Sequence, residues 1–139
     1  MLFRSNEQGK RYVNESISYK KLADACMGES NGSTFQILDQ GVFEQGEDTC
    51  RILDFNRRYE DGLVIEAPTL EKLAQLIEVP VDTLLATVKR YNGFVDAGKD
   101  EDFGRENLVH HHGALRRIET PPFYAYPSTA AVYTTYCGL

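Results

Sequence analysis

Apolar residues recur at helical spacing over one long stretch of this chain and at strand spacing over several short ones. Leu70, Leu73, Ala74 and Ile77 fall at i, i+3, i+4 and i+7, which is one face of a helix. Thr69 stands before them as an N-cap, and Glu71 lies in the first turn beside the positive end of the helix dipole. Pro80 opens a second helix at its first-turn position. Val81, Leu84, Leu85, Val88, Tyr91 and Val95 form the second stripe, and Gly98 closes it as a left-handed cap. The pattern predicts a helical hairpin over residues 69–97, closed around a hydrophobic seam.

The rest of the pattern is shorter in range. Ile17, Leu22, Ala23, Ala25 and Cys26 give a loose stripe that predicts a helix from Ser16 to Met27. Loop formers from Gly28 to Ser33 end it. Arg11-Tyr12-Val13 has strand character after a turn at Asn6–Gly9. Thr34–Asp39 nearly alternates, and Leu63–Ala67 follows an Asp61-Gly62 turn, so both read as strands. Gly41–Thr49 reads as loop, and Lys99–Ile118 as an irregular polar connection. These pieces predict an α+β fold: a small sheet from residues 10–14, 34–38, 63–66 and 123–135, with the hairpin packed on it.

The stretch from Pro121 to Leu139 stands apart. It has no charged side chain, and it holds Tyr124, Tyr126, Tyr133 and Tyr136, half of the 8 tyrosines. The double proline stops any helix and favours extended backbone. The Tyr, Val and Thr that follow pack well in a strand. The expectation is a strand with an exposed apolar edge, and self-association through it.

Composition narrows the function classes. A chain of 139 residues is one domain by length. Its net charge of −6 and pI near 5.0 leave no basic stripe for nucleic acid. Cys26, Cys50 and Cys137 make an odd count without Cys-x-x-Cys, so reduced thiols are the simpler reading. No apolar run reaches about 18 residues, so no membrane span is expected. His110-His111-His112 is adjacent rather than spaced, which points the rings apart and favours a solvated loop over a metal site. A Gly-x-Gly-x-x-Gly turn and a Gly-Lys-Ser/Thr loop are both missing. Tyrosine is the chemical resource that remains. A phenol donates a proton or holds a carbonyl, although each tyrosine also suits a core or an interface.

Gly9-Lys10-Arg11-Tyr12-Val13-Asn14-Glu15 resembles a Gly-x-Arg-Phe-x-Asn-Glu pattern. Val88–Arg105, which contains Arg90-Tyr91-Asn92, Ala97-Gly98-Lys99-Asp100 and Asp102-Phe103-Gly104-Arg105, resembles a second. Asp61–Ala74 and Pro121-Pro122-Phe123-Tyr124-Ala125 follow the same likeness. All four belong to the FAD-dependent fumarate reductase and 3-ketosteroid dehydrogenase flavoproteins, and in the same order. The resemblance implies a capping domain over residues 1–127 and a segment, 128–139, that returns to an FAD-binding domain. The missing glycine turn then implies a fragment of a larger flavoprotein, unable to hold FAD well alone.

The resemblance also implies site residues. Where fumarate reductases carry a proton-donating arginine four residues after the Asn-Glu glutamate, this chain has Tyr19, as ketosteroid dehydrogenase-like members do. Where fumarate reductases carry two histidines, it has Val132-Tyr133-Thr134-Thr135-Tyr136-Cys137-Gly138. Tyr19, Tyr133 and Tyr136 are therefore the expected catalytic residues, and Thr135 and Gly138 the expected FAD contacts. A carbonyl or aromatic substrate suits such a site better than a dicarboxylate, for which an arginine clamp is the natural partner. The implied partners are an FAD-binding domain and a small-molecule substrate. The alternative is a binding or self-association module without redox chemistry.

Overall fold

The structure, a computed structural model, describes residues 3–29, 33–46, 54–108 and 113–129. Its strands are β1 (Phe3–Asn6), β2 (Ser33–Asp39), β3 (Ile65–Ala67) and β4 (Phe123–Thr129). Its helices are α1 (Tyr19–Gly28), α2 (Gln40–Phe43), α3 (Phe55–Glu60), α4 (Leu70–Leu76) and α5 (Val81–Ala97). The strands form one antiparallel sheet in the order β1-β2-β4-β3. The fold is α+β.

The hairpin forms for the reasons its sequence gives. The Thr69 hydroxyl accepts from the Lys72 N–H, capping α4. Gly98 takes φ 68° and ends α5. Pro80 is the N-cap of α5 rather than its first residue, with helical geometry starting at Val81. Between the helices, Glu78 takes a left-handed φ of 58°. The N–H of Val79 returns to the carbonyl of Ala74 at 3.0 Å, a Schellman-type closure that usually uses glycine.

Strand alternation then divides the sheet into two faces. Phe3, Ile37, Phe123 and Ala125 point to the hairpin and join Leu73, Ala74, Ile77, Leu84, Val88 and Tyr91 in the main core. Leu38, Tyr124 and Tyr126 point the other way, into a second cluster with Phe55 and the half-buried Phe43 and Val64.

Three expectations change. Residues 10–14 are not a strand; the edge strand on that side is Phe3–Asn6, and Arg11 and Glu15 are held by charge pairing instead. Gly41–Thr49 is not wholly loop, because Asp39 accepts from the Val42 N–H and starts the short helix α2. The Pro121 stretch does not begin as an exposed edge. β4 is an interior strand, paired with β2 from Phe123 to Thr129 and with β3 from Phe123 to Ala125. Pro127 falls beyond the last β3 pair, where its missing donor breaks no ladder on that side. β4 also runs through the expected boundary between residues 127 and 128.

Candidate functional site

The family-like motifs meet in space, although their roles are not those of a reaction centre. Arg11 donates from Nε to Glu15 at 2.8 Å and from Nη2 at 2.6 Å. The same guanidinium reaches both oxygens of Asp100, at 3.2 and 2.9 Å. Arg105 lies 3.4 Å from Glu15 and donates to the carbonyls of Asn107 and Leu108. All four side chains are buried. Asp100 also accepts from the backbone N–H groups of Asp102, Phe103 and Arg105. The Asn14 amide donates to the carbonyls of Phe103 and Gly104. Two cations and two anions thus pin the segment before α1 to the segment after α5.

The pKa shifts fit that reading. Burial pushes Asp100 up, but hydrogen bonds and charge from Arg11, with the backbone donors, overcome it and hold the carboxyl below 3.8. Burial likewise opposes the charge on Arg11, and Glu15 and Asp100 outweigh it, so the guanidinium is held above its ordinary value.

The sheet face away from the hairpin carries the chemistry that sequence reading singled out. Tyr19 is the first residue of α1 and is half exposed. Together with Leu22, Ala23 and Cys26 of α1, Arg4 of β1, and Ser128 and Thr129 of β4, it lines a cavity of about 130 Å³. Arg4 Nη1 donates to the Ser128 hydroxyl oxygen at 3.1 Å, and so does Gln36 Nε2, also at 3.1 Å. The Thr34 hydroxyl donates to the Ser128 carbonyl at 2.9 Å, and Cys26 Sγ is 3.5 Å from the Thr34 oxygen. The Tyr12 hydroxyl is buried beside Thr34 and Arg4, with neither in good hydrogen-bonding geometry. Burial raises its pKa.

Farther along this face, Phe43 stacks on Tyr124 with centroids 4.3 Å apart, and Phe55 and Tyr59 pack around the pair. Burial pushes the Tyr126 phenol up to about 12, which makes it a poor proton donor at neutral pH.

Of the sequence-derived site residues, Tyr19 is described and lines the cavity. Tyr133, Thr135, Tyr136 and Gly138 lie outside the described residues, as do the three histidines, Cys50 and Cys137. β4 leads toward the first four of these from the same cavity. Sequence reading missed Arg4 and Ser128. The alternation of β1 and β4 carried a signal for both, because it places them on the tyrosine face. Among the described residues no helix is long and apolar enough to cross a membrane.

No protein-family model matches the chain. Individual relatives do. The chain is 35% identical over 96% of its length to NADH:acrylate oxidoreductase of Vibrio harveyi, covering 12% of that protein. It is 32% identical over 86% of its length to 3-oxosteroid 1-dehydrogenase of Mycobacterium tuberculosis, covering 25%. Its fold matches the solution structure of a fumarate reductase flavoprotein subunit from Lactobacillus plantarum with a TM-score of 0.71 and 25% identity. That match covers 97% of this chain and 87% of the other. The chain is therefore built as a unit of reductases and dehydrogenases. It belongs to the fumarate reductase and 3-ketosteroid dehydrogenase flavoprotein superfamily. It spans 12 to 30% of the length of the curated relatives it matches.

The described residues do not fit a dinucleotide cradle. Such a cradle needs parallel βαβ units and a helix N-terminus open to the diphosphate. This sheet is antiparallel throughout. Where a strand does run into a helix, from β2 into α2, the Asp39 carboxylate already occupies the helix N-terminus.

Proposed function

We propose that this chain is the capping domain of an FAD-dependent oxidoreductase that acts on an activated C–C bond. The observation that carries this reading is one of coverage. Nearly the whole chain aligns with less than a third of each relative, and what aligns lacks a flavin cradle. A cap of this kind closes over a flavin held by another domain, and residues 128–139 form the return to that domain.

The sheet face opposite the hairpin is the side that meets substrate. There Tyr19 holds a proton at its phenol oxygen or hydrogen-bonds the substrate carbonyl, with Tyr133 and Tyr136 sharing that task. Thr135 and Gly138 contact FAD. The buried charge cluster keeps the loops beside α1 at a fixed distance from this face.

The test is a chimera in which this chain replaces the homologous segment of the Vibrio harveyi relative, assayed with a reduced dye against acrylate, fumarate and a 3-ketosteroid. Turnover of one of them is expected, and Tyr19→Phe should lower it by about 10²-fold with the flavin still bound. A flavin-loaded chimera inert toward all three removes the proposal. So does a yellow one-to-one FAD complex formed by this chain alone.

A further inference from the structure

Arg4 is the charged group on the tyrosine face that the fold does not use. The other buried arginines, Arg11 and Arg105, face Glu15 and Asp100, so that cluster is balanced. Arg4 has no carboxylate partner among the described residues. Its guanidinium makes one hydrogen bond, to Ser128, and its Nε is buried without an acceptor. In a chain of net charge −6, this cation stands uncompensated at the wall of a cavity.

Ser128 completes the arrangement. Its hydroxyl oxygen accepts from Arg4 and from Gln36, which occupies both lone pairs. Its own proton is donated to no described acceptor. An O–H and a guanidinium therefore stand together, both as donors, in a cavity of about 130 Å³. The other walls, Leu22 and Ala23, are apolar. That volume corresponds to roughly four waters. The chemistry that answers such a site is a planar anion with two acceptor oxygens on a short apolar tail.

We propose that Arg4 and Ser128 form a subsite for the carboxylate of a small organic acid of about three or four carbons, whose tail lies against Leu22 and Ala23. The subsite belongs to this chain alone and stands whether or not the chain caps a flavin domain. Arg4 supplies charge and two parallel N–H donors, and Ser128 supplies a third donor. A neutral amide of the same size lacks the charge and binds far more weakly.

The experiment is a titration of the ¹⁵N-labelled chain with sodium propionate at constant ionic strength, set beside propionamide and sodium chloride. Saturable shifts are expected at the Arg4 Nε–H, the Gln36 side-chain amide, Ser128 and Thr129, with propionate alone. Arg4→Gln should abolish saturation, and Ser128→Ala should weaken binding about five- to tenfold. Lys20→Gln, on the same helix as Tyr19, should leave the affinity unchanged. Shifts that stay linear, or that chloride reproduces, mean an adventitious ion only and overturn the subsite. If Arg4→Gln loses its folded spectrum, Ser128→Ala decides, and an unchanged affinity in that variant overturns the proposal.

Discussion

At the scale of single residues, the buried charge cluster sets the sharpest expectations. Glu15 is wholly buried and serves two arginines. Replacing it with alanine leaves both guanidinium groups short of a counter-charge, so Glu15→Ala should cost about 3–5 kcal/mol in urea unfolding. Asp100 adds a pH dependence. Its carboxyl titrates below 3.8 in the folded chain, so the unfolded chain takes up the proton first as pH falls. The stability it supplies is full above that value and is lost as pH drops through the lower folded value. An Asp100→Asn variant should therefore be less stable near pH 6 and lose less on acidification below pH 4, read from urea midpoints. Gly9 makes a backbone prediction. It sits at φ 75°, and a Cβ there would lie 3.1 Å from the backbone nitrogen of Leu84. Gly9→Ala should cost more than about 1 kcal/mol, because strain and a backbone clash coincide.

At the scale of elements, single side chains tie the hairpin to the sheet. Asn92 of α5 both donates to the Ile118 carbonyl, at 2.9 Å, and accepts from its N–H, at 2.8 Å. Asp39, at the end of β2, accepts from the N–H groups of Glu119 and Thr120. Both contacts steer the chain into β4. Asn92→Ala leaves a buried donor and acceptor unpaired and should lower stability by about 2–4 kcal/mol on thermal unfolding. Glu78 offers the opposite sign. Its left-handed conformation suits glycine, so Glu78→Gly should stabilise the α4–α5 junction by about 0.5–1 kcal/mol in the same assay.

The hairpin was legible because both its stripes and its caps are local signals. The edge strand was not. Arg11-Tyr12-Val13 carries strand propensity, but the Arg11 side chain is committed to Glu15 and Asp100, the latter 89 residues away. No local pattern reports such a partner. The candidate site was legible in part for the same reason. Tyr19 stood out by its place after an Asn-Glu motif, whereas Arg4 gained meaning once Ser128, 124 residues on, was beside it.

At the scale of the whole molecule, one sheet separates two functions. The hairpin face holds most of the apolar core and gives the domain its stability. The opposite face holds aromatic rings, Arg4, Tyr19 and the cavity, and presents them away from that core. A relative solved over nearly the same extent indicates that a unit of this size folds by itself. The isolated chain should therefore unfold in one cooperative step, with circular dichroism and tyrosine fluorescence giving coincident urea curves.

The sequence by itself determined the helical hairpin, the α+β class and the superfamily. Each rests on residues close together in the chain: periodic stripes, caps and short motifs. Tertiary structure alone decided that the Asn-Glu and Asp-Phe-Gly-Arg motifs are one buried charge cluster and that β4 is an interior strand. It also decided that Arg4 meets Ser128 under Tyr19. Strand order and the pairing of distant charges follow from which surfaces bury together, and that is fixed by the packed sheet rather than by any window of the chain.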